Sequence, residues 1–354
     1  MKRFAVMLVT ICLFFSGCSL MDGEHLSVTP HELPISGSQS TVLSVSDYWE
    51  LKDVLESMVQ SGAENTVINV SKYDQRLLDR GLEMAAKHLK ENYPLGSWAV
   101  DNVEYEIGTG GGQPVVSVNI SYIHGRSQIR QIQNVEHMEA LEARLAEALE
   151  ECTDSLVFLV DQYERKDLIQ LVEDYADSHP NLVMEIPEVA VGVYPNDEPG
   201  ARVVELRFTY QTSREVLRQM QNQVMRVFSS AELYINSDST DIQKYAQMYT
   251  FLMERYDYSL GTSITPAYSL LIHGVGDNEA FASVYAAMCR QAGLECQVIS
   301  GTKNGEAWHW NLILVEGKLL HVDLLEASDH DGFVCRESEQ MEGYVWDYSA
   351  YTDA

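Results

Sequence analysis

The side chains that could do chemistry are few and widely spread. Of the six cysteines in the 354 residues, Cys12 lies in an apolar N-terminal stretch and Cys18 closely follows it. Cys152, Cys289, Cys296 and Cys335 are left for the body of the chain. Their spacing holds no C-x-x-C pair, which argues against zinc and predicts no bound metal. Four thiols allow three disulfide pairings, and buried free thiols are the alternative, so the pairing stays open. His309 stands between Trp308 and Trp310, and Asp323 closes His321-Val322-Asp323. On a strand the two tryptophans share one face, where they either fill a core or floor a groove suited to peptide or sugar. Ser328-Asp329-His330-Asp331-Gly332 gathers acids around a histidine but lacks the ligand ladder of a calcium loop, and reads as a solvated turn. Gly108-Thr109-Gly110-Gly111-Gly112 has the glycines of a phosphate loop, but no Gly-Lys-Ser/Thr follows and the next element is a strand. No cofactor is expected.

Charge and length narrow the partners and the architecture. Fifty-three acids against 24 Lys and Arg give a net charge of -29, which opposes binding to phosphate backbones, so nucleic acid is not an expected partner. With 45% hydrophobic residues the chain can bury more than one core, and two or three domains are expected. Beyond the N-terminus no apolar run approaches the roughly 20 residues of a spanning helix.

The N-terminus reads as a targeting segment. Met1-Lys2-Arg3 is a basic start, Phe4 to Phe15 an apolar stretch too short to span a bilayer, and Phe15-Ser16-Gly17-Cys18 a small-residue cleavage site. It resembles a bacterial lipoprotein signal. That resemblance implies cleavage before Cys18, lipidation of Cys18, and a lipid bilayer as partner, with the chain on the extracytoplasmic face of the cell membrane. Two or three acyl chains anchor firmly, each buried CH₂ contributing roughly 0.8 kcal/mol. The expected layout is a signal peptide at 1–17 and a lipidated, Ser/Thr/Pro/Gly-rich tether over 18–45.

An internal repeat with a period near 88–90 organises the middle of the chain. Val70-Ser71-Lys72-Tyr73 answers Val160-Asp161-Gln162-Tyr163, Tyr122 answers Tyr210, and Arg130-Gln131-Ile132-Gln133-Asn134 answers Arg218-Gln219-Met220-Gln221-Asn222. Each unit reads as helix, short strand, helix, two strands, helix. Helices are expected over Tyr48 to Met58 and Arg76 to Tyr93, the latter ended by Pro94 and Gly96, with strands over Thr66–Val70, Val103–Ile107 and Val115–Ile123. The second unit repeats the series from Leu141 to Tyr210. Unit boundaries of 46–135 and 136–230 follow. Neither unit offers an acid, base and nucleophile together, so both read as spacer or interaction domains.

The last third carries the constellation that positions chemistry. A polar amphipathic helix from Asp241 leads through a loop to Ala267-Tyr268-Ser269-Leu270-Leu271-Ile272-His273-Gly274. Asn278-Glu279-Ala280-Phe281-Ala282 then opens a helix to Ala292, and strands are expected to Gly301, over Ala307–Val315 and over Leu319–Leu324. This order, over 235–325, resembles the transglutaminase-like domain of the papain-related superfamily. The fold class is therefore α+β: two repeated α/β units, then a transglutaminase-like domain with a helix-headed site packed on an antiparallel sheet, and a tail over 326–354 that docks back on the domain or serves a partner.

In that family a cysteine starts the helix, a His-Ala-Trp-Asn strand supplies the base, and an aspartate on the next strand orients it. A thiolate at a helix N-terminus is stabilised by free N–H groups and the macrodipole, and an imidazole takes its proton. Carried over by spacing, the cysteine position falls on Asn278, fifteen residues before Gly293, the histidine position on Trp308, and the aspartate on Asp323. An amide is no thiolate, and an indole is no base. His309 is the candidate substitute base, but it is one residue along the strand and expected to face away from the site. Cys289 lies eleven residues into the helix, roughly 16 Å from its head. The expected groove comprises Trp308, Trp310, Asn311 and Tyr268. The favoured reading is a lipid-anchored surface protein whose degenerate domain binds peptide, protein or cell-wall material. The competing one is an active cysteine protease or transglutaminase with a rearranged site.

Overall fold

The computed structural model describes residues 43–260, 265–328 and 332–351. Cys18, the expected signal and most of the tether, and the Asp329-His330-Asp331 cluster lie outside the described residues. The architecture is α+β: two mixed four-stranded sheets, then a region with an antiparallel sheet.

The first sheet is built from β1 (Leu43–Ser44), β2 (Asn65–Asn69), β3 (Val100–Gly110) and β4 (Gln113–Tyr122). It is flanked by α1 (Tyr48–Ser61), α2 (Leu78–Glu91), α3 (Pro94–Ala99) and α4 (Arg126–Ile129). Asp47 caps α1, its carboxylate accepting from the N–H groups of Trp49 and Glu50. Leu51, Leu55 and Val59 of α1 and Leu78, Leu82 and Leu89 of α2 recur at helical spacing and close over Ile68, Val116, Val118 and Ile120. Pro94 and Gly96 do end α2 as expected, but they also open α3, because proline suits the first turn of a helix. The glycine run is a hairpin: β3 extends to Gly110, and Gly111 and Gly112 turn with φ of 60° and 79°, a conformation without steric cost only for glycine.

The second sheet holds β5 (Gln133–His137), β6 (Ser155–Tyr163), β7 (Glu188–Tyr194) and β8 (Gly200–Thr209), with α5 (Met138–Glu150), α6 (Leu168–Ser178) and α7 (Arg214–Tyr234). The two sheets run β1-β2-β4-β3 and β5-β6-β8-β7, each with its first pair parallel and the other two antiparallel. The leading strands β1 and β5 were not expected. Each is short and exposed, so neither shows the alternation that marks a half-buried strand. β1 falls in the expected tether and β5 crosses the expected boundary at 135 and 136. Val203, with Val157 and Leu159, turns the outer face of the second sheet onto the first unit.

The third region comprises α8 (Asp241–Met253), β9 (Asp257–Tyr258), α9 (Pro266–Tyr268), β10 (Val275–Gly276), α10 (Asn278–Gln291), β11 (Cys296–Lys303), β12 (Glu306–Val315), β13 (Lys318–Val322), α11 (Leu324–Ser328) and β14 (Tyr344–Trp346). Its main sheet runs β13-β12-β11-β14, all antiparallel. The expected third strand stops at Val322, since Leu324 begins α11. The tail belongs to the domain: β14 pairs with β11 through Gly301 and Trp346. So does α7, expected in the second unit, whose Leu217, Val224, Phe228 and Ala231 share a core with α8 and α10. α10 is buried nearly all round, from Ala280 to Cys289, as a central helix must be.

Candidate functional site

The head of α10 is fixed by local sequence. Asp277, in extended conformation, caps the helix with its carboxylate on the N–H of Ala280 at 3.0 Å, which leaves Asn278 as the first helical residue. Strand β12 passes over it. Asn311 is wholly buried and donates its amide to the carbonyl of Ala282 at 2.9 Å, while Ile313 enters the core around α10. Since side chains alternate along a strand, that parity puts His309 on the same face. His309 meets Asn278 there: its backbone N–H donates to Oδ1 at 3.1 Å, and ring Nδ1 lies 2.9 Å from the same oxygen. An oxygen accepting from the backbone requires a proton on Nδ1, so the uncharged ring carries its free lone pair on Nε2.

This corrects the expectation that His309 faces away. The β11–β12 ladder runs in unbroken register through Ser300 and His309, so no bulge is involved. It is Trp308 and Trp310 that leave the helix side. Trp310, 0% exposed, fills a separate core with Ile299, Leu312, Met341 and Tyr344, and donates its indole N–H to Nδ1 of His321 at 3.0 Å. Of the expected groove, Trp310 and Asn311 are therefore interior on opposite faces of the strand, and Tyr268 lines a different cleft, its hydroxyl donating to Gln223 of α7. Trp308, half-buried, is the member with surface to offer, with Tyr258 at 6.3 Å between ring centres.

Asp323 does meet Trp308, whose indole N–H donates to Oδ2 at 3.0 Å. The same oxygen accepts from Lys303 Nζ at 2.8 Å and from the hydroxyl of Tyr344 at 2.6 Å, while Oδ1 accepts from the N–H groups of Leu325 and Glu326. At 7% exposure this carboxylate is saturated by five donors. Burial, then its bonds to Asp323 and Glu326, push the Tyr344 hydroxyl far above the ordinary tyrosine range. Lys303 lies 5.1 Å from the ring centres of both Trp308 and Tyr344. His321 is held neutral: burial lowers it to about 4, and Nε2 donates to Ser338 Oγ at 3.0 Å.

The thiols are elsewhere. Cys152, Cys289 and Cys296 are buried and all four cysteines are unpaired in the structure. Burial pushes Cys152, Cys289 and Cys335 upward, the opposite of nucleophile activation, and Cys289 is in hydrogen-bond contact with Cys296 within the core. The arrangement can offer an imidazole lone pair and polar groups at a helix head. No cysteine stands at that helix head, since Cys289 and Cys296 belong to the buried core.

Sequence reasoning missed the His309–Asn278 contact and the Lys303 and Tyr344 bonds to Asp323. The first has no signal in the sequence, because the face of β12 that meets α10 is set by Asn311 and Ile313 packing on the helix, and Tyr344 gave none either, since it reaches Asp323 from a segment beyond the strand pair.

Residues 230–349 match the family model described as the transglutaminase-like superfamily, so this third of the chain is a transglutaminase-like domain. Among solved structures the chain is similar to one titled a TGase, at 10% identity and a TM-score of 0.27, the match covering 60% of this chain and 61% of that one. The chain thus spans about three fifths of that relative's length. A candidate cysteine protease from Cytophaga hutchinsonii is similar at 12% identity and a TM-score of 0.27, covering 45% of this chain and 70% of that one. A candidate protease from Parabacteroides distasonis is similar at 11% identity and a TM-score of 0.24, covering 60% and 48%. No curated protein matches the chain.

Proposed function

We propose that the transglutaminase-like domain is a non-catalytic binding module for peptide or cell-wall material, carried by a duplicated α/β spacer and anchored through acylated Cys18 on the extracytoplasmic face of a cell membrane. The observation that carries the reading is Asn278 at the head of α10 with its Oδ1 held by His309. Acyl transfer by this family's chemistry needs a thiolate where that amide stands, beside an imidazole that takes its proton. Cys289 lies three turns along the same helix, in the core, with its thiol raised by burial. The aspartate that would orient an imidazole is instead saturated by Trp308, Lys303 and Tyr344 and holds the sheet end together. The matching strand order of the two N-terminal sheets supports the duplication, and the small-residue site before Cys18 supports the anchor. The test is an amidase and transamidase assay of the wild type alongside titration of its thiols with iodoacetamide. Thiol-dependent turnover would overturn the reading.

A further inference from the structure

Helix α10 ends in a tight reversal that returns the chain as β11, and a cysteine stands on each side of it: Cys289 in the last turn of the helix and Cys296 at the head of the strand. Gly293 takes the left-handed conformation, with φ of 75°. That turn lets the N–H of Leu294 donate to the carbonyl of Cys289 at 3.0 Å, and the N–H of Gly293 to that of Arg290 at 3.0 Å. The strand end is clamped as firmly. The guanidinium of Arg290 donates to the carbonyl of Cys296 at 3.2 Å, and the hydroxyl of Tyr245 on α8 donates to that of Glu295 at 2.5 Å. Between these clamps the two sulfurs are in hydrogen-bond contact. Both lie in the core shared by α7, α8 and α10, Cys289 at 0% exposure and Cys296 at 3%. The other two cysteines have different surroundings: Cys152 sits beside Arg214, Arg218 and Glu185, and Cys335 is half-buried in the tail.

Both thiols are reduced in the structure, but an oxidising medium converts a pair held this way into a disulfide. Burial sets the timing. It shields both sulfurs and pushes the Cys289 thiol upward, so an oxidant reaches them only before the core closes. We propose that Cys289 and Cys296 are joined as a disulfide while the chain folds in an oxidising compartment, the oxidant being a protein or glutathione disulfide. The thiolate of one cysteine attacks the oxidant's disulfide and expels one of its sulfurs as a thiol. The second cysteine then attacks the mixed disulfide and expels the other. One S–S bond forms and one breaks, and the pair's two electrons and two protons end on the oxidant as two thiols. The crosslink fastens the helix that carries Asn278 to β11, the strand paired with the one that carries His309. The inference rests on the extracytoplasmic placement proposed above for its oxidising medium, and it is independent of what the domain binds.

Trypsin separates the two residues, because it cuts after Arg290 and leaves Cys289 in peptide 256–290 and Cys296 in peptide 291–303. The full chain, exported in a bacterial host and purified in detergent, is alkylated with iodoacetamide in guanidinium before any reductant is added, then digested and weighed by mass spectrometry. The two peptides should be recovered joined, about 2 Da lighter than the separate pair together, and reduction should part them. Cys152 and Cys335 should carry the alkyl group. In the Cys289→Ser variant, Cys296 should be alkylated. A parallel sample, unfolded with reductant and refolded in a mixture of reduced and oxidised glutathione, separates the two ways of failing. Joined peptides there but not after export would uphold the pair and remove the extracytoplasmic placement. Separate, alkylated peptides in both samples, or either cysteine joined to Cys152 or Cys335, would overturn the proposal.

Discussion

His309 holds Oδ1 of Asn278 through two contacts, its backbone N–H at 3.1 Å and ring Nδ1 at 2.9 Å, at the point where α10 begins. A helix N-terminus and an imidazole are thus already side by side, and the missing element is sulfur.

That relationship predicts the effect of supplying it. Asn278→Cys should create a thiol lowered by the helix terminus and by a protonated His309, reacting with iodoacetamide near neutral pH at least about tenfold faster than Asn278→Cys/His309→Ala. Trp308→His, which supplies a second imidazole on this strand, should add nothing to Asn278→Cys, because position 308 faces Asp323 on the other side of the strand. A rate that depends on position 308 and not on His309 would contradict the geometry.

Asp323 should behave as a structural residue. Asp323→Ala strands the Lys303 ammonium and the hydroxyl of Tyr344, and removing one partner of a buried charge pair costs about 3–5 kcal/mol. Urea unfolding reads this directly. A loss below about 1 kcal/mol would mean that the five bonds hold little.

Stability should fall with acid through His321. Its folded value near 4 lies below the unfolded value of about 6.5, so the unfolded chain takes up the proton first. Its contribution is complete above about pH 6.5 and is lost as pH drops towards 4, on the order of 3 kcal/mol in all. The urea midpoint should therefore slope less steeply with pH over that window in His321→Gln than in the wild type. Parallel slopes would remove His321 as the cause.

Much of this fold is legible in the sequence because its elements carry strong periodic burial. α1, α2, α5 and α6 show apolar residues at helical spacing, and Gly111-Gly112 and Glu316-Gly317 mark turns that their positive φ angles require. β1 and β5 escape, as short exposed strands defined only by a neighbour's hydrogen bonds. The site was half legible. Spacing brings Trp308 to Asp323, but which face of β12 meets α10 depends on Asn311 and Ile313 packing against the helix, a tertiary fact that motif spacing does not encode. β14 was hidden for the same reason: Tyr344 and Trp346 look like any aromatic tail until they pair with Lys303 and Gly301.

The anchor has its own test. Palmitate should label the protein, and Cys18→Ala should abolish both label and partition into detergent. Label that survives the substitution would remove the lipoprotein proposal and leave the domain's reading intact.

The measurement closest to the central claim is turnover by the unmodified chain. With peptide-amide and amine substrates, the wild type should show no thiol-dependent amidase or transamidase activity, and iodoacetamide titration near neutral pH should find no hyper-reactive cysteine. Robust turnover that disappears in Cys289→Ser or Cys296→Ser would contradict the account, placing a working nucleophile inside the core that holds both residues.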